Sequence, residues 1–510
     1  MDFLKLLDQQ AVEHPDKIAL NFRDASINFS QLKNYAVGVA AALSALGVKS
    51  QDKVAIYLGN TPEYVYSFLG IFILRGTAVP LDYMLTEEEV VNFLNHSEAK
   101  ILIAQDKNGV DFFAIKERCP GLEKIVFFGE NPYCNPSAKD FLSWEAFLNT
   151  SKPLANIEIK ESDFSSIFYT SGSTGHPKGV LLNYAHLKNP LDTFEYFLHP
   201  SDTDSLINPG IPFSHLGGLD YLLFMLYYGI TLTLQERFHP FEFLKGIEKH
   251  KPTIFCIVPP MYVAILSLKE FNSFDLASLR YAVVFGAPSS PVLLQRFLSR
   301  APNAYLLNGW GLTETSAPNA FLPTGTNTKE VPHTGEFQPG IEAKIVDDQD
   351  KALPEEKEGE LWLRGKAIMV GYYKEPELTA ETITKDGWLK TGDVAKRDAQ
   401  GRYYIVGRIK EMIKVAGEIV FEPEVEAVIQ RHPDIAEAAV IGVPDKLRGE
   451  VPKAFVVAKE AKTIPEEALK GFLREQIAHF KIPHYFEFVS ALPKNRVGKI
   501  DKEALRRNAR

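Results

Sequence analysis

The sequence predicts an α/β protein with a large N-terminal region of parallel sheets flanked by helices, a β-rich subdomain, and a small α+β C-terminal domain. Three observations predict it. Short apolar runs alternate with helical stretches over the first three hundred residues, which favours parallel sheets covered by helices on both faces. After about Gly335 the runs are joined by tight turns. From about Lys410 helices and strands alternate again in a shorter segment.

The elements follow from local chemistry. Residues 53–58 (KVAIYL) read as a strand. Residues 61–76 read as a helix, with Thr61 as cap and Pro62 at its first position. Residues 77–81, 100–104, 124–128, 253–258 and 281–285 repeat the strand pattern. Residues 216–234 are mostly apolar, but Asp220 and three glycines interrupt them, so a buried helix followed by a buried strand is expected rather than a membrane span. Strands at 342–346, 359–364 and 403–406, with turn chemistry at 347–350 and 398–401, make the β-rich unit. Helices at 423–432 and 465–480 and strands at 436–441 and 453–457 make the last one. The boundary is placed at 408/409, giving domains 1–408 and 409–510.

Length and composition limit the function. With 510 residues the chain has room for roughly three domain-sized units. Its 45% hydrophobic and 24% charged residues are those of a globular protein, not a fibre or a disordered chain. A net charge of −9 is a poor match for a nucleic-acid backbone. Three dispersed cysteines, Cys119, Cys134 and Cys256, suggest a reducing compartment, and residues 1–10 lack the pattern of a signal peptide. A cytoplasmic location is expected.

The sharpest signal is Tyr169-Thr170-Ser171-Gly172-Ser173-Thr174-Gly175-His176-Pro177-Lys178-Gly179, directly after a strand at 165–169. Three glycines allow close backbone approach, four hydroxyls can donate, and Lys178 supplies a cation, which together suit a polyphosphate. The spacing is not that of a Walker A loop.

These eleven residues resemble the phosphate loop of the adenylate-forming superfamily: acyl- and aryl-CoA synthetases, luciferases and peptide-synthetase adenylation domains. Further motifs of that family follow in order. Phe213-Ser214-His215-Leu216-Gly217-Gly218 resembles its His-x-x-Gly element, which implies that His215 lines the acyl pocket and orients the carboxylate. Amino-acid-activating members carry an aspartate near this point; Asp220 is close but not at the matching place. Gly286-Ala287-Pro288 resembles the segment against which adenine lies. Asn308-Gly309-Trp310-Gly311-Leu312-Thr313-Glu314 resembles the aromatic-Gly-x-Thr-Glu element, with Trp310 where tyrosine is common. The resemblance implies adenine stacking on Trp310, α-phosphate contact by Thr313, and Mg²⁺ held by Glu314 with Thr170.

Asp393 in Thr391-Gly392-Asp393 matches the ribose-binding aspartate. Arg408 matches a ribose or phosphate contact and Lys410 the hinge residue. Lys414 with Ala416–Gly417 matches the pantetheine channel, and Lys499 matches the lysine that bridges carboxylate and α-phosphate. The implied activity is an ATP-dependent carboxylic acid–CoA ligase. It forms an acyl adenylate with release of pyrophosphate and then transfers the acyl group to coenzyme A, the mobile C-terminal domain serving both steps. ATP, Mg²⁺ and coenzyme A are the implied co-reactants. Aromatic residues at Phe213, Tyr221, Phe224, Phe285 and Phe321 favour a fatty acid. The alternatives are an aryl-CoA ligase and a stand-alone enzyme loading a carrier-protein phosphopantetheine. Outside the family they are a non-catalytic nucleotide-binding protein, or a kinase or ATPase. A homodimer is compatible with the resemblance.

Overall fold

The computed structural model describes residues 1–510 except 107–108, 130–138, 151, 155–159, 171–177, 287–290, 326–332, 416–417, 446, 460–461, 463, 495–499 and 510. Among the described residues the strands form three sheets.

One sheet has Thr77–Pro80, Lys53–Tyr57, Ile101–Gln105 and Lys124–Phe128 in parallel register. All four are strands expected from their apolar runs. Phe164–Thr170 joins them beside Thr77–Pro80, then turns back as the antiparallel Lys178–Asn183. The short strand Gly371–Tyr372 pairs with the outer edge of Lys178–Asn183, although nearly two hundred residues separate them. That crossover brings distant parts of the chain to the ends of the hairpin.

The largest sheet contains the parallel strands Ser205–Asn208, Thr231–Leu234, Ile254–Ile257, Tyr281–Phe285 and Tyr305–Trp310. It does not stop where the β-rich unit was expected to begin. Ala320–Gly325 pairs antiparallel with Tyr305–Trp310, and His333–Phe337 connects it to Tyr403–Arg408 and Leu389–Arg397. The antiparallel unit is therefore an extension of the same sheet, because backbone pairing continues wherever an edge is left open.

Two buried helices set the core. Pro62–Ile73 starts after Thr61 with Pro62 in its first turn, as expected, and all of its residues except Glu63 are buried. Leu216–Tyr228 is also buried along most of its length and is ended by Gly229, whose φ of 64° suits the left-handed cap a glycine adopts without strain. Thr231–Leu234 follows as a buried strand. No helix among the described residues is long and apolar enough to cross a membrane. At the N-terminus of Leu216–Tyr228 the backbone of Pro212 closes in: a Cβ on Gly218 would lie 2.1 Å from the Pro212 carbonyl oxygen, so only glycine fits.

The third sheet carries Met412–Val415, Glu418–Phe421, Ile435–Asp445, Gly449–Ala458 and Tyr485–Phe488. Its apolar core draws only on residues from Ile413 onward. The helix expected over 465–480 is shorter, Glu466–Arg474, and a separate turn His479–Lys481 follows. Ile477 and Phe480 still pack on this core. Lys502 and Arg506 of the final helix Lys502–Asn508 reach the buried Glu422 at 3.1 and 2.7 Å, which ties that helix down. The closing basic run is thus partly an internal anchor rather than wholly a solvated face.

Candidate active site

The expected residues among those described gather mainly in three clusters. The first surrounds the hairpin loop. Thr170 and Lys178 are cross-strand partners at its base. Ser171, Gly172, Ser173, Thr174 and Gly175 lie outside the described residues. Lys178 Nζ lies 5.2 Å from the ring centre of Tyr372, and Tyr372 Oη donates to Glu314 Oε1 at 3.0 Å. Burial, with the Glu314 charge added, pushes the Tyr372 phenol well above its ordinary range, so it stays a donor. The turn Thr313–Thr315 that presents Glu314 is rigid. Thr315 Oγ1 accepts from Leu312 N at 3.0 Å, Asn319 Nδ2 donates to Thr315 O at 2.7 Å, and Ser316 Oγ donates to Ala367 O at 3.0 Å. Thr170, Lys178 and Glu314 were expected here; Tyr372, which joins the last two, was not. Its segment, Gly371-Tyr372-Tyr373, carries no chemical signature in the sequence.

Asp393 is the centre of the second cluster. It is 2% exposed on strand Leu389–Arg397, beside its register partner Arg408. Trp310 Nε1 donates to Asp393 Oδ2 at 3.0 Å. Arg408 Nε lies 2.8 Å from Oδ1 as an ion pair, and Oδ1 makes no well-aligned hydrogen bond. Burial raises the Asp393 carboxyl from its ordinary range, opposed by Arg408 and the indole. The tyrosine hydroxyl that Trp310 lacks is thus replaced by an indole N–H with a partner of its own.

The third cluster is a cavity of ≈ 250 Å³ below the other two. His215, the residue before helix Leu216–Tyr228, lines it together with Gly286, Gly309, Trp310 and Thr313. Its Nε2 is shielded from solvent without a hydrogen bond, 3.8 Å from Asp82 Oδ2. Of the aromatic residues expected to make a greasy pocket, Tyr221, Phe224, Phe285 and Phe321 line the cavity. Phe213 does not; it packs in the core against Tyr64 at a centroid distance of 5.3 Å. Phe194 supplements them, edge-on to Phe224 at 4.6 Å and near Phe321 at 6.2 Å, and was missed because nothing local marks it.

Other expected residues fall elsewhere. Asn308 lies within strand Tyr305–Trp310, next to the strand Tyr281–Phe285 that the cavity-lining Gly286 follows, while Ala287 and Pro288 lie outside the described residues. Lys410 is exposed in the turn Ile409–Glu411 between the last two sheets, and Lys414 is exposed on Met412–Val415. Ala416, Gly417 and Lys499 lie outside the described residues. The donor set at Glu314 and Thr170 is hard oxygen, and no group of three or more His, Cys, Asp or Glu among the described residues could hold a metal alone. That fits Mg²⁺, which binds through one or two carboxylates and keeps its remaining places for phosphates and water.

Comparison with known proteins agrees with this geometry. Residues 7–373 match the AMP-binding enzyme family and residues 424–499 the AMP-binding enzyme C-terminal domain. A 3-[(3aS,4S,7aS)-7a-methyl-1,5-dioxo-octahydro-1H-inden-4-yl]propanoyl:CoA ligase of Mycobacterium tuberculosis is 33% identical over 98% of this chain and 97% of its own length. A 4-coumarate–CoA ligase of Solanum tuberosum is 34% identical over 92% of this chain and 86% of its own. A long-chain-fatty-acid–CoA ligase of Bacillus subtilis is 30% identical over 98% and 93%. The crystal structure of the anthranilate CoA ligase AuaEII with anthranoyl-AMP superimposes with a TM-score of 0.91 at 30% identity, covering 100% of this chain and 97% of that one. The chain belongs to the adenylate-forming superfamily, within the acyl-CoA synthetase or AMP-dependent ligase family, and is an AMP-forming acid–thiol ligase that uses ATP, Mg²⁺ and coenzyme A.

Proposed function

We propose that the acid activated is compact and apolar, ring-bearing rather than a long straight chain. The cavity carries this reading: it is small, apolar on most sides, and lined by the packed rings of Phe194, Phe224 and Phe321. Pockets for larger ligands run from about 300 Å³ upward. This reading prefers a compact acid to the fatty acid expected from the sequence, which the relative named for long-chain acids would favour. The names of two other relatives refer to ring-bearing acids, a hydrindane-dione propanoate and coumarate.

In this reading the carboxylate lies near His215 and attacks the α-phosphate in line, forming a C(O)–O–P bond as pyrophosphate departs. Both the attacking and the leaving group are anionic, so the site needs fixed positive charge. Lys178 answers the outer phosphates and Lys499 the reacting centre. Mg²⁺ on Glu314 and Thr170 supplies charge neutralisation of the phosphates, and Tyr372 fixes the Glu314 carboxylate for that task. The ribose hydroxyls donate to the Asp393 carboxylate, and Thr313 faces the α-phosphate. Trp310, with Gly286, Ala287, Pro288, Asn308 and Gly309, encloses the base. Coenzyme A then attacks the mixed anhydride as thiolate and AMP leaves.

Arg408 closes the N-terminal domain at 1–408. The domain 409–510 turns about Lys410, carrying Lys499 away and bringing Lys414, Ala416 and Gly417 to the pantetheine. Free thiols at Cys119 and Cys256 accord with a cytoplasmic enzyme supplied with ATP and coenzyme A.

The test is acid-dependent pyrophosphate release with Mg-ATP, with and without coenzyme A, over straight-chain acids of increasing length and a series of ring-bearing propanoic and acrylic acids. The highest kcat/KM is expected for a ring-bearing acid, with release accelerated by coenzyme A. A maximum among long straight chains would overturn the reading of the cavity.

A further inference from the structure

Helix Leu216–Tyr228 lends one face to the cavity. Leu216, Gly217, Asp220, Tyr221 and Phe224 line it, the spacing of a single helical stripe. Every member is apolar, aromatic or glycine except Asp220. Tyr221 is already engaged, its hydroxyl bonded to both the N–H and the carbonyl of Cys256 at 2.7 Å. Asp220 is 7% exposed, and its Oδ1 is shut from solvent with no hydrogen-bond partner. Among the described residues no Lys or Arg lines the cavity. Buried polar groups in folded proteins nearly always have partners, so one without a partner at a ligand cavity points to the ligand. Burial alone pushes the Asp220 carboxyl well above its ordinary range, which favours the neutral acid. Burial raises the neighbouring Cys256 thiol as well, with Asp220 adding to the shift, so no thiolate competes for that proton.

We propose that Asp220 is a specificity-determining residue whose carboxyl hydrogen-bonds an uncharged oxygen, a ketone or a hydroxyl, on the tail of the acid substrate. The inference rests on the reading of the cavity as the site of that tail. A neutral carboxyl offers one O–H donor and one carbonyl acceptor, which matches a ketone or a hydroxyl and gives nothing to a plain hydrocarbon. The helix also sets the reach. Asp220 stands five residues beyond His215, about 7.5 Å along the axis at 1.5 Å per residue. The recognised oxygen therefore lies roughly one ring and a short linker from the carboxylate.

The experiment compares matched acids in acid-dependent pyrophosphate release. One pair is cyclohexanepropanoic acid with and without a ketone at the far ring carbon. A second is phenylpropanoic acid with and without a para hydroxyl. A cationic member carries an amine at the far carbon of the cyclohexane ring. The wild-type enzyme is expected to favour the oxygen-bearing member of at least one pair by on the order of 100-fold in kcat/KM, because the parent leaves the buried carboxyl unpaired. Asp220→Asn, which keeps a donor and an acceptor, retains that preference in part. Asp220→Leu inverts it. These are ratios within one enzyme preparation, so partial misfolding of a variant cannot imitate them. Equal kcat/KM within both pairs for wild type, or a ratio unchanged in Asp220→Leu, would overturn the proposal while the compact-acid reading stands. Preference for the cationic acid would overturn it in favour of an ionised Asp220. Activation of straight-chain acids only would overturn both.

Discussion

Replacing Trp310 with phenylalanine isolates one hydrogen bond in the second cluster. Phenylalanine keeps an aromatic face and the edge-on contact with Phe337, now 5.7 Å between centroids, but removes the N–H donated to Asp393 Oδ2 at 3.0 Å. Hydrogen bonds to a charged group contribute about 1.5–3 kcal/mol, and at 2% exposure water is a poor replacement. Each 1.4 kcal/mol is about tenfold, so KM for ATP is expected to rise by about 10- to 100-fold. The interaction serves nucleotide binding in ground and transition states alike, so kcat changes little. A second signature follows from the sign of the shift. Burial already raises the Asp393 carboxyl, while Arg408 and the indole hold it down. Losing the indole raises it further. Ribose binding needs the carboxylate as acceptor, so the acid limb of kcat/KM for ATP moves to higher pH. Pyrophosphate release over a pH series, with a melting curve to confirm folding, measures both effects. A KM for ATP within about twofold of wild type, together with an unmoved acid limb, would refute the assignment of Asp393 to the nucleotide.

Further expectations concern the other parts of the molecule. Tyr372→Phe keeps the ring beneath Lys178 but frees Glu314, and should lower pyrophosphate release by about tenfold while raising the Mg²⁺ concentration needed, as a metal titration will show. Lys410→Pro stiffens the turn Ile409–Glu411 and should leave adenylation within a few fold while cutting thioester formation at least about tenfold. Single-turnover assays of each half-reaction decide, and equal loss of both would count against the hinge. His186 is buried and held neutral, its imidazole lowered from 6.5 to about 4 by desolvation. The unfolded chain binds that proton first as pH falls, so about 3 kcal/mol of stability should be lost between pH 6.5 and 4. Denaturant midpoints across that range should flatten in His186→Gln.

What the sequence revealed and what it concealed divide along the range of the interactions. Pro62–Ile73 was legible because its start is local: Thr61, Pro62, then a run of apolar residues. The parallel strands were legible because burial on both faces needs continuous apolar runs. Residues that carry chemistry at a recognisable spacing, such as Lys178, Glu314 and Asp393, were legible as candidates. Their partners were not. Trp310 meets Asp393 across 83 positions, and the meeting depends on the register that sets Asp393 beside Arg408. A slip of one residue there would turn the carboxylate to the other face. Tyr372 reaches Glu314 only because a two-residue strand crosses to the edge of the hairpin, and two residues carry no periodicity to read.

The acyl cavity shows the same limit from the opposite direction. Its chemistry was anticipated as greasy, and four of the five aromatic residues named for it do line it. In the apolar part of such a site length distinguishes one acid from another, and length depends on which rings line the cavity. That ring system combines Phe194, Phe224 and Phe321, from two helices and a strand spread over more than a hundred residues of sequence. No local pattern encodes it. Asp220 is the converse case: it interrupts an apolar run, so the sequence does display it. Read locally it merely breaks a hydrophobic stretch. Only its place on the lining stripe of the helix, with Tyr221 already committed to Cys256, turns that interruption into a statement about substrate. A helix face that must be apolar to stabilise the core has no structural use for a lone carboxyl, and selection for stability alone would favour its loss. Its presence there is best explained by a substrate oxygen that completes the pair.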